Sequence, residues 1–230
     1  MSLVSVTNLV KNYGKFRAID DLDLELDGGR IVGLLGENGC GKTTLLKVLA
    51  GALADYEGDV RIDGHSPGPE SKAVVSFLPD ASFLPDGATL DACIRQYRDF
   101  FSDFSEDHAR DLIGFFGLET GRRLSTLSKG MREKAQIALA MSRQAKVYLL
   151  DEPISGVDPA AREVLLQAII RDLSPEALVL VSTHLIHDLE PILDGVAFMR
   201  HGRILLTGEV DDLRSERGLS IDALFREVYR

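Results

Sequence analysis

The sequence predicts an α/β fold built on a largely parallel sheet, and three observations carry that prediction. Short apolar runs that read as buried strands alternate with amphipathic segments that read as helices, and strands separated by helices pair in parallel. One strand–helix junction, residues 36–44, reads GENGCGKTT and fits G-x-x-x-x-G-K-[ST] through Gly36, Gly41, Lys42 and Thr43. A later apolar run, VYLLD (147–151), ends in Asp151 followed by Glu152, so carboxylates emerge at a strand end, where open α/β sheets bind ligands.

Taken in order, LVSVTNL (3–9), LDLEL (22–26), IVGLLG (31–36) and DVRIDG (59–64) read as strands separated by Gly, Asp and Asn breaks. TLLKVLAG (44–51) is an amphipathic helix that ends at a glycine, and AVVSFL (73–78) is a buried strand closed by Pro79. Residues 89–143 change character. TLDACIRQYRDFF, SEDHARDLIGFFG and SKGMREKAQIALAMSRQ repeat apolar residues at three- and four-residue steps, the helical spacing. Ser105, followed by Glu106 and Asp107, has the chemistry of an N-cap with acidic residues in the first turn. From VYLLDEP the alternation resumes with a helix over 160–173, strands ALVLVST (177–183) and VAFMR (196–200), a hairpin through HGR, RILLTG (203–208), and a short amphipathic helix over 219–230. There are no repeats, linkers or low-complexity tracts, so the expectation is one α/β unit over 1–230, interrupted by a helical insertion.

Composition narrows the function classes. A net charge of −10 opposes binding of nucleic acid or anionic lipid by bulk electrostatics. Arg122, Arg123, Lys129, Arg132 and Lys134 gather in one stretch and read as a solvated helix face. No apolar run approaches the roughly 20 residues of a membrane-spanning helix, and the first residues lack a signal-peptide pattern. Two isolated cysteines, Cys40 and Cys93, suit a reducing compartment, and the five scattered histidines have no zinc-site spacing.

The Gly-rich junction is built to hold an anion. Glycines let the backbone turn tightly, so that N–H groups and the helix N-terminus point at phosphate. Lys42 then reaches the β- and γ-phosphates and the Thr43 hydroxyl ligates Mg²⁺. Asp151 would hold Mg²⁺ directly or through water, and Glu152 is placed to polarise the water that attacks the γ-phosphate. A third element, LSKGM (127–131), opens a helix with Ser128 as a plausible N-cap and with Gly130 allowing close backbone approach. Alone, these last two elements read equally as a strand end and a capped helix. Their order gives them weight: the loop, the helical stretch, L-S-x-G, the strand with D-E, S-G-V-D (155–158) and S-T-H (182–184) follow in one succession.

In that succession the chain resembles the nucleotide-binding domain of ATP-binding cassette (ABC) ATPases, over about residues 2–210. The resemblance implies a P-loop NTPase fold with a mostly parallel core sheet, an N-terminal antiparallel β subdomain and an α-helical subdomain inserted at about 81–145. It makes Gly36–Thr44 Walker A, so that Gly36, Asn38, Gly39, Cys40, Gly41, Lys42, Thr43 and Thr44 contact ATP. Val147–Asp151 becomes Walker B, LSKGM the signature usually written L-S-G-G-Q, Ser155–Asp158 the D-loop, and His184 the switch histidine at the γ-phosphate. Tyr13 matches the aromatic that stacks on adenine, against the alternative of a simple packed ring. ATP and Mg²⁺ are the implied cofactors, and Glu152, His184 and Lys42 the implied catalytic groups. Each ATP of this family lies between Walker A of one domain and the signature of another. Ser128, Gly130 and Asp158 would therefore close a site on a second subunit, a homodimer or a similar heterodimer. With no spanning segment, the implied location is cytoplasmic and peripheral, docked through the helical insertion on separate membrane permease subunits.

The LSKGM-type signature and compact size look like subunits of ABC-2-type exporters. Two alternatives stand beside transport: a soluble mechanical ATPase of the same superfamily acting on nucleic acid or the ribosome, and a non-catalytic subunit that uses ATP as dimer glue. The first typically carries two cassettes or a long coiled coil, neither of which is present. The second draws on a departure from the family, Asp80 in SFLPD (76–80), where the family's Q-loop Gln touches Mg²⁺ and the attacking water. Asp80 either ligates Mg²⁺ with added negative charge, or points away and leaves the loop to couple by shape. Lys129 and Met131 also depart from the signature, and Cys40 occupies a position usually held by a small residue such as Ala. For Cys40 two readings stand: small-residue packing, or a thiol whose pKa the helix N-terminus lowers.

Overall fold

Strands β1 (Val4–Tyr13) and β2 (Phe16–Leu26) form a hairpin that turns at Gly14, and β4 (Glu57–Ile62) adds to the other side of β1 in a three-stranded antiparallel sheet. The second sheet runs β5 (Val75–Leu78), β6 (Val147–Asp151), β7 (Leu178–Thr183), β3 (Arg30–Leu35), β8 (Gly195–Arg200) and β9 (Arg203–Glu209). Its first five strands are parallel and β9 closes one edge antiparallel to β8. These are features of a computed structural model that describes residues 2–171 and 173–229.

The apolar runs of β6 and β7 are buried along their whole length, as central strands covered on both faces require. Alternate residues then feed two cores. Val32, Leu34, Leu149, Leu180 and Ala197 face the antiparallel sheet and Leu45, Leu46, Val48 and Leu49 of helix α1 (Lys42–Leu49). Leu35, Leu150, Val179, Val181 and Phe198 face the opposite helical layer. That layer includes α3 (Leu90–Phe100), α4 (Glu106–Phe115) and α5 (Lys129–Met141), which stand between β5 and β6 in the chain, and α6 (Pro159–Ile170), which follows β6. Ser105 caps α4, its Oγ accepting the His108 N–H at 3.2 Å. Among the described residues no helix is long and apolar enough to cross a membrane.

Several elements differ from the sequence expectation. The β1–β2 hairpin extends past residues 9 and 22 to Tyr13 and from Phe16, because this overhang is largely polar and shows no apolar run. Residues 73–74 finish a helix, α2 (Pro69–Val74), and the strand starts at Val75; six residues are too few to display helical periodicity. Helix α8 (Val210–Arg217) was not foreseen, since Val210 and Leu213 alone are buried on it. The expected helix over 160–173 spans Pro159–Ile170, with Asp172 outside the described residues. A four-residue helix, α7 (Ile186–Leu189), follows β7, and the last helix, α9 (Ile221–Val228), matches the expected C-terminal one.

The helical segment is fastened to the sheet by Arg143. This buried guanidinium reaches Asp103 at 3.0 Å, the Ala73 carbonyl at 2.9 Å and the Val75 carbonyl, and lies 4.1 Å over the Phe101 ring. Replacing it with an apolar residue leaves a carboxylate and two carbonyls without their donor. Arg143→Leu should lower unfolding stability by about 3 kcal/mol, the scale for breaking a buried pair from one side, read by urea denaturation.

Candidate functional site

Residues 36–41 join the C-terminal end of β3 to the first turn of α1. Gly39 (φ 81°) and Gly41 (φ 116°) lie in the left-handed region that a side chain disfavours, and Gly41 is the N-cap of α1. At Gly36 the constraint is space: an added Cβ would lie 2.6 Å from Cys40 Sγ and overlap the Met199 carbonyl. The loop therefore arches with its rear packed against β8 and its front open.

The front opens on a cavity of about 260 Å³ lined by Tyr13, Phe16, Ala18, Asn38, Gly39, Gly41, Lys42, Thr43, Thr44, Asp80 and Glu152. Lys42 is buried, and its ammonium donates to the carbonyls of Gly36 at 2.7 Å and Glu37 at 3.1 Å, with Glu152 Oε1 at 3.6 Å. Thr43 Oγ1 donates to Asp151 Oδ1 at 3.1 Å, and the fully buried Ser182 Oγ donates to the same oxygen at 2.6 Å. Asp151 Oδ2 is buried and has no hydrogen-bond partner.

Glu152 carries a positive φ of 50°, a conformation a non-glycine residue holds only where its surroundings enforce it. Its N–H donates to the Ser182 carbonyl at 3.1 Å and lies 3.2 Å from Ser182 Oγ, so β7 fixes the turn at the end of β6. The turn aims the carboxylate at the loop, with Oε2 3.0 Å from His184 Nδ1. Asp80 lines the cavity and also a small adjoining cleft with Glu133, Gln136, Asp151 and Glu152. Beyond it, the Phe83 N–H donates to the buried Gln136 Oε1 at 3.1 Å, which ties the 80–84 loop to α5.

Of the residues named from sequence, Tyr13, Asn38, Gly39, Gly41, Lys42, Thr43, Thr44, Asp80 and Glu152 share this cavity, with Asp151 bonded to Thr43 and His184 to Glu152. Gly36 and Cys40 form its rear. Ser128, Gly130 and Asp158 lie outside it, where Ser128 caps α5 through the Met131 N–H and a Cβ on Gly130 would meet nothing within 4 Å. Their two segments abut: a Cβ on Gly156 would come within 2.8 Å of Lys129 Nζ and overlap Glu133. Lys129 itself is exposed and leans on Glu133 at 3.7 Å.

The structure corrects the activated reading of Cys40. Burial pushes its thiol above the ordinary cysteine range, and the Lys42 charge and backbone N–H groups offset that only in part. Two residues escaped the sequence reading. Phe16, beside Tyr13 across the hairpin, sits in the same KNYGKF run, where a second aromatic was the available signal. Ser182 stands in S-T-H, but only the pairing of β6 with β7 reveals its contact with Asp151.

The donor set fits a phosphate chain with a divalent cation. The loop has the backbone shape of an anion cradle, and one oxygen of a buried carboxylate is saturated by two hydroxyls while the other stays unpartnered. Comparison with known proteins agrees. The sequence model of the family described as ABC transporter matches residues 19–155. The chain is 33% identical over 219 residues to the phosphonates import ATP-binding protein PhnC 1 of Natronomonas pharaonis, covering 89% of this chain and 92% of that protein. It is 31% identical over 237 residues to the daunorubicin resistance ATP-binding protein DrrA3 of Streptomyces coeruleorubidus, covering 98% and 74%. A solved structure described as the ATP binding subunit of an ABC transporter shares the fold at a TM-score of 0.88, with 28% identity and full coverage of both chains.

Two outcomes follow from the site's geometry. Cys40 should alkylate more slowly than a free thiol at neutral pH and accelerate as pH rises, because a raised pKa leaves less thiolate at any given pH; iodoacetamide kinetics resolved by peptide mass spectrometry measure this. Ser182→Ala removes one hydroxyl from the buried Asp151 oxygen and should lower unfolding stability by about 1–2 kcal/mol in chemical denaturation.

Proposed function

This chain belongs to the ABC transporter family, and from that premise we propose that it is the ATP-hydrolysing subunit that powers a membrane transporter. One observation carries the proposal: Lys42 and Thr43 from the start of α1 and Glu152 from just past β6 line a single cavity at the C-terminal edge of the sheet, with Asp151 bonded to Thr43 and His184 3.0 Å from Glu152. That edge is where parallel sheets bind ligands.

Each side chain has a part in this reading. The N–H groups of the loop and the positive end of α1 receive the phosphates, and Lys42 brings its charge to the β- and γ-oxygens. Thr43 and Asp151 are the residues that would hold Mg²⁺, whose charge offsets that of the phosphate oxygens, and Asp80 is a further candidate ligand at the rim. Glu152 orients and polarises the attacking water. His184 holds that carboxylate in line from the opposite side and presents its ring to the terminal phosphate. Tyr13 and Phe16, 47% and 61% exposed at the hairpin tip, offer aromatic faces to the base.

Ser128, Gly130 and Asp158 support a composite site because they lie outside the cavity of their own chain, with Ser128 and Asp158 exposed. A second subunit placed head to tail would bring the capped N-terminus of its α5 to the terminal phosphate. Two bound ATP molecules then join two subunits, and hydrolysis releases them. Separate permease subunits would dock on the α3–α5 segment, hold the chain at the cytoplasmic face of the membrane and select the cargo. The contact between His184 and Glu152 counts against ATP serving as glue alone, since it aligns a base that binding does not need.

Glu152→Gln should bind ATP, hydrolyse it at least about 100-fold more slowly and accumulate as a dimer in ATP, as measured by phosphate release and light scattering. Unchanged turnover would remove Glu152 from the reaction, and a monomer in saturating ATP would overturn the composite site.

A further inference from the structure

The cavity accounts for the front of the Gly-rich loop; its rear is shaped by the other end of the chain. Tyr229, just beyond α9, points its hydroxyl at the loop. It donates to the Met199 carbonyl and lies 3.5 Å from the Leu35 carbonyl. A Cβ on Gly36 would stand 3.3 Å from that hydroxyl, so α9, β8 and the loop meet at Gly36. The same Gly36 presents its carbonyl to Lys42 Nζ on the other side, at 2.7 Å.

The helix that carries Tyr229 is fixed along its length. At its start the buried Glu190 accepts the Ile221 N–H at 2.9 Å and the Asp222 N–H at 3.3 Å, and also receives Arg214 of α8 at 2.8 Å. Ser220 caps the same turn through the Ala223 N–H. Burial alone would push the Glu190 carboxyl up, but the guanidinium and the two N–H groups outweigh it and hold it below the ordinary range. Glu190 thus stays charged at neutral pH and keeps its grip. At the far end the Tyr229 ring stacks on Phe225 at 4.0 Å, Phe225 meets Phe198 of β8 edge-on at 5.5 Å, and Arg200 lies 5.4 Å over Tyr229. Eight residues of helix span about 12 Å, so a contact at Glu190 sets where the hydroxyl sits against the loop.

We infer that Tyr229 is a positioning residue for the phosphate-binding loop, and that Glu190 and α9 form a strut setting the loop's affinity for nucleotide. The strut meets Leu35, Gly36 and β8, and among the described residues Glu190 and Tyr229 make no hydrogen bond or ion pair to Asp151, Glu152 or His184, so its effect falls on binding and spares the hydrolytic step. It also makes nucleotide affinity responsive to whatever displaces α9, whose outer face carries the exposed Arg226.

The inference rests on the proposed nucleotide site, and its test separates the two. Tyr229→Phe keeps the stacked ring and deletes only the hydroxyl. Its ATP dissociation constant, measured by calorimetry, should rise about three- to ten-fold, the scale of one hydrogen bond, while kcat at saturating ATP stays within about two-fold. Glu190→Gln, acting on the far end of α9, should move binding in the same direction. Without any nucleotide, Cys40 beside Gly36 should react faster with a maleimide in both variants, with Cys93 as the internal reference in peptide mass spectrometry. Unchanged Cys40 reactivity and unchanged affinity in Tyr229→Phe would overturn the strut, as would a fall in kcat at unchanged affinity. Failure of the unsubstituted protein to bind ATP would instead overturn the site's assignment, and Cys40 reactivity would still decide whether α9 braces the loop.

Discussion

Asp151 Oδ1 is the oxygen on which the site's geometry depends. It accepts the Thr43 hydroxyl from α1 and the Ser182 hydroxyl from β7 while its own backbone ends β6, so one buried acceptor ties three elements together. Burying a carboxylate is unfavourable unless its oxygens are satisfied. Here the satisfaction is one-sided. Oδ1 accepts both hydroxyls and Oδ2 is buried with no hydrogen-bond partner. In the proposed function a divalent cation held at Oδ2 would remove that asymmetry.

The same hydroxyl clamp sets the next residue. Ser182 takes the Glu152 N–H with its carbonyl and lies within reach of it with its Oγ, which stabilises the left-handed turn that swings the Glu152 side chain towards Lys42 and His184. A relaxed extended conformation at residue 152 would send that side chain elsewhere. Parallel pairing of β6 with β7 thereby becomes a chemical fact, because the register Asp151 opposite Ser182 is what delivers the hydroxyl. On the other side of the loop, β8 and Tyr229 leave no room for a side chain at Gly36, so the backbone is shaped from behind as well as from in front.

The helical segment and the site meet through few but specific contacts. Gln136 of α5 holds the Phe83 N–H and so steadies the loop that carries Asp80, while Gly156 permits the 155–158 segment to lie against Lys129 and Glu133. A shift of α5 relative to the sheet is therefore felt at Asp80 and at the turn after Glu152. In the proposed function that coupling would link a partner on the helices to a nucleotide at the loop.

The sequence by itself named the residues that the fold then gathers at the candidate site. The Gly36–Thr44 loop and the Asp151–Glu152 pair were legible because phosphate binding demands particular residue types at short, fixed spacing, and that information is local, while His184 came from the family resemblance. The core strands were legible because strands covered on both faces must be apolar throughout. Short or marginal elements such as α2 and α8 were not, since six or eight residues with one or two buried positions carry too little pattern. Only the tertiary structure decided which residues act together. Ser182 joins Asp151 through strand register, Tyr229 meets Gly36 across 193 positions of chain, and the Cys40 thiol is pushed up because burial outweighs the nearby positive charge. Each of those outcomes depends on which groups are close in space and shielded from water, and neither quantity is written in the spacing of residues along the chain.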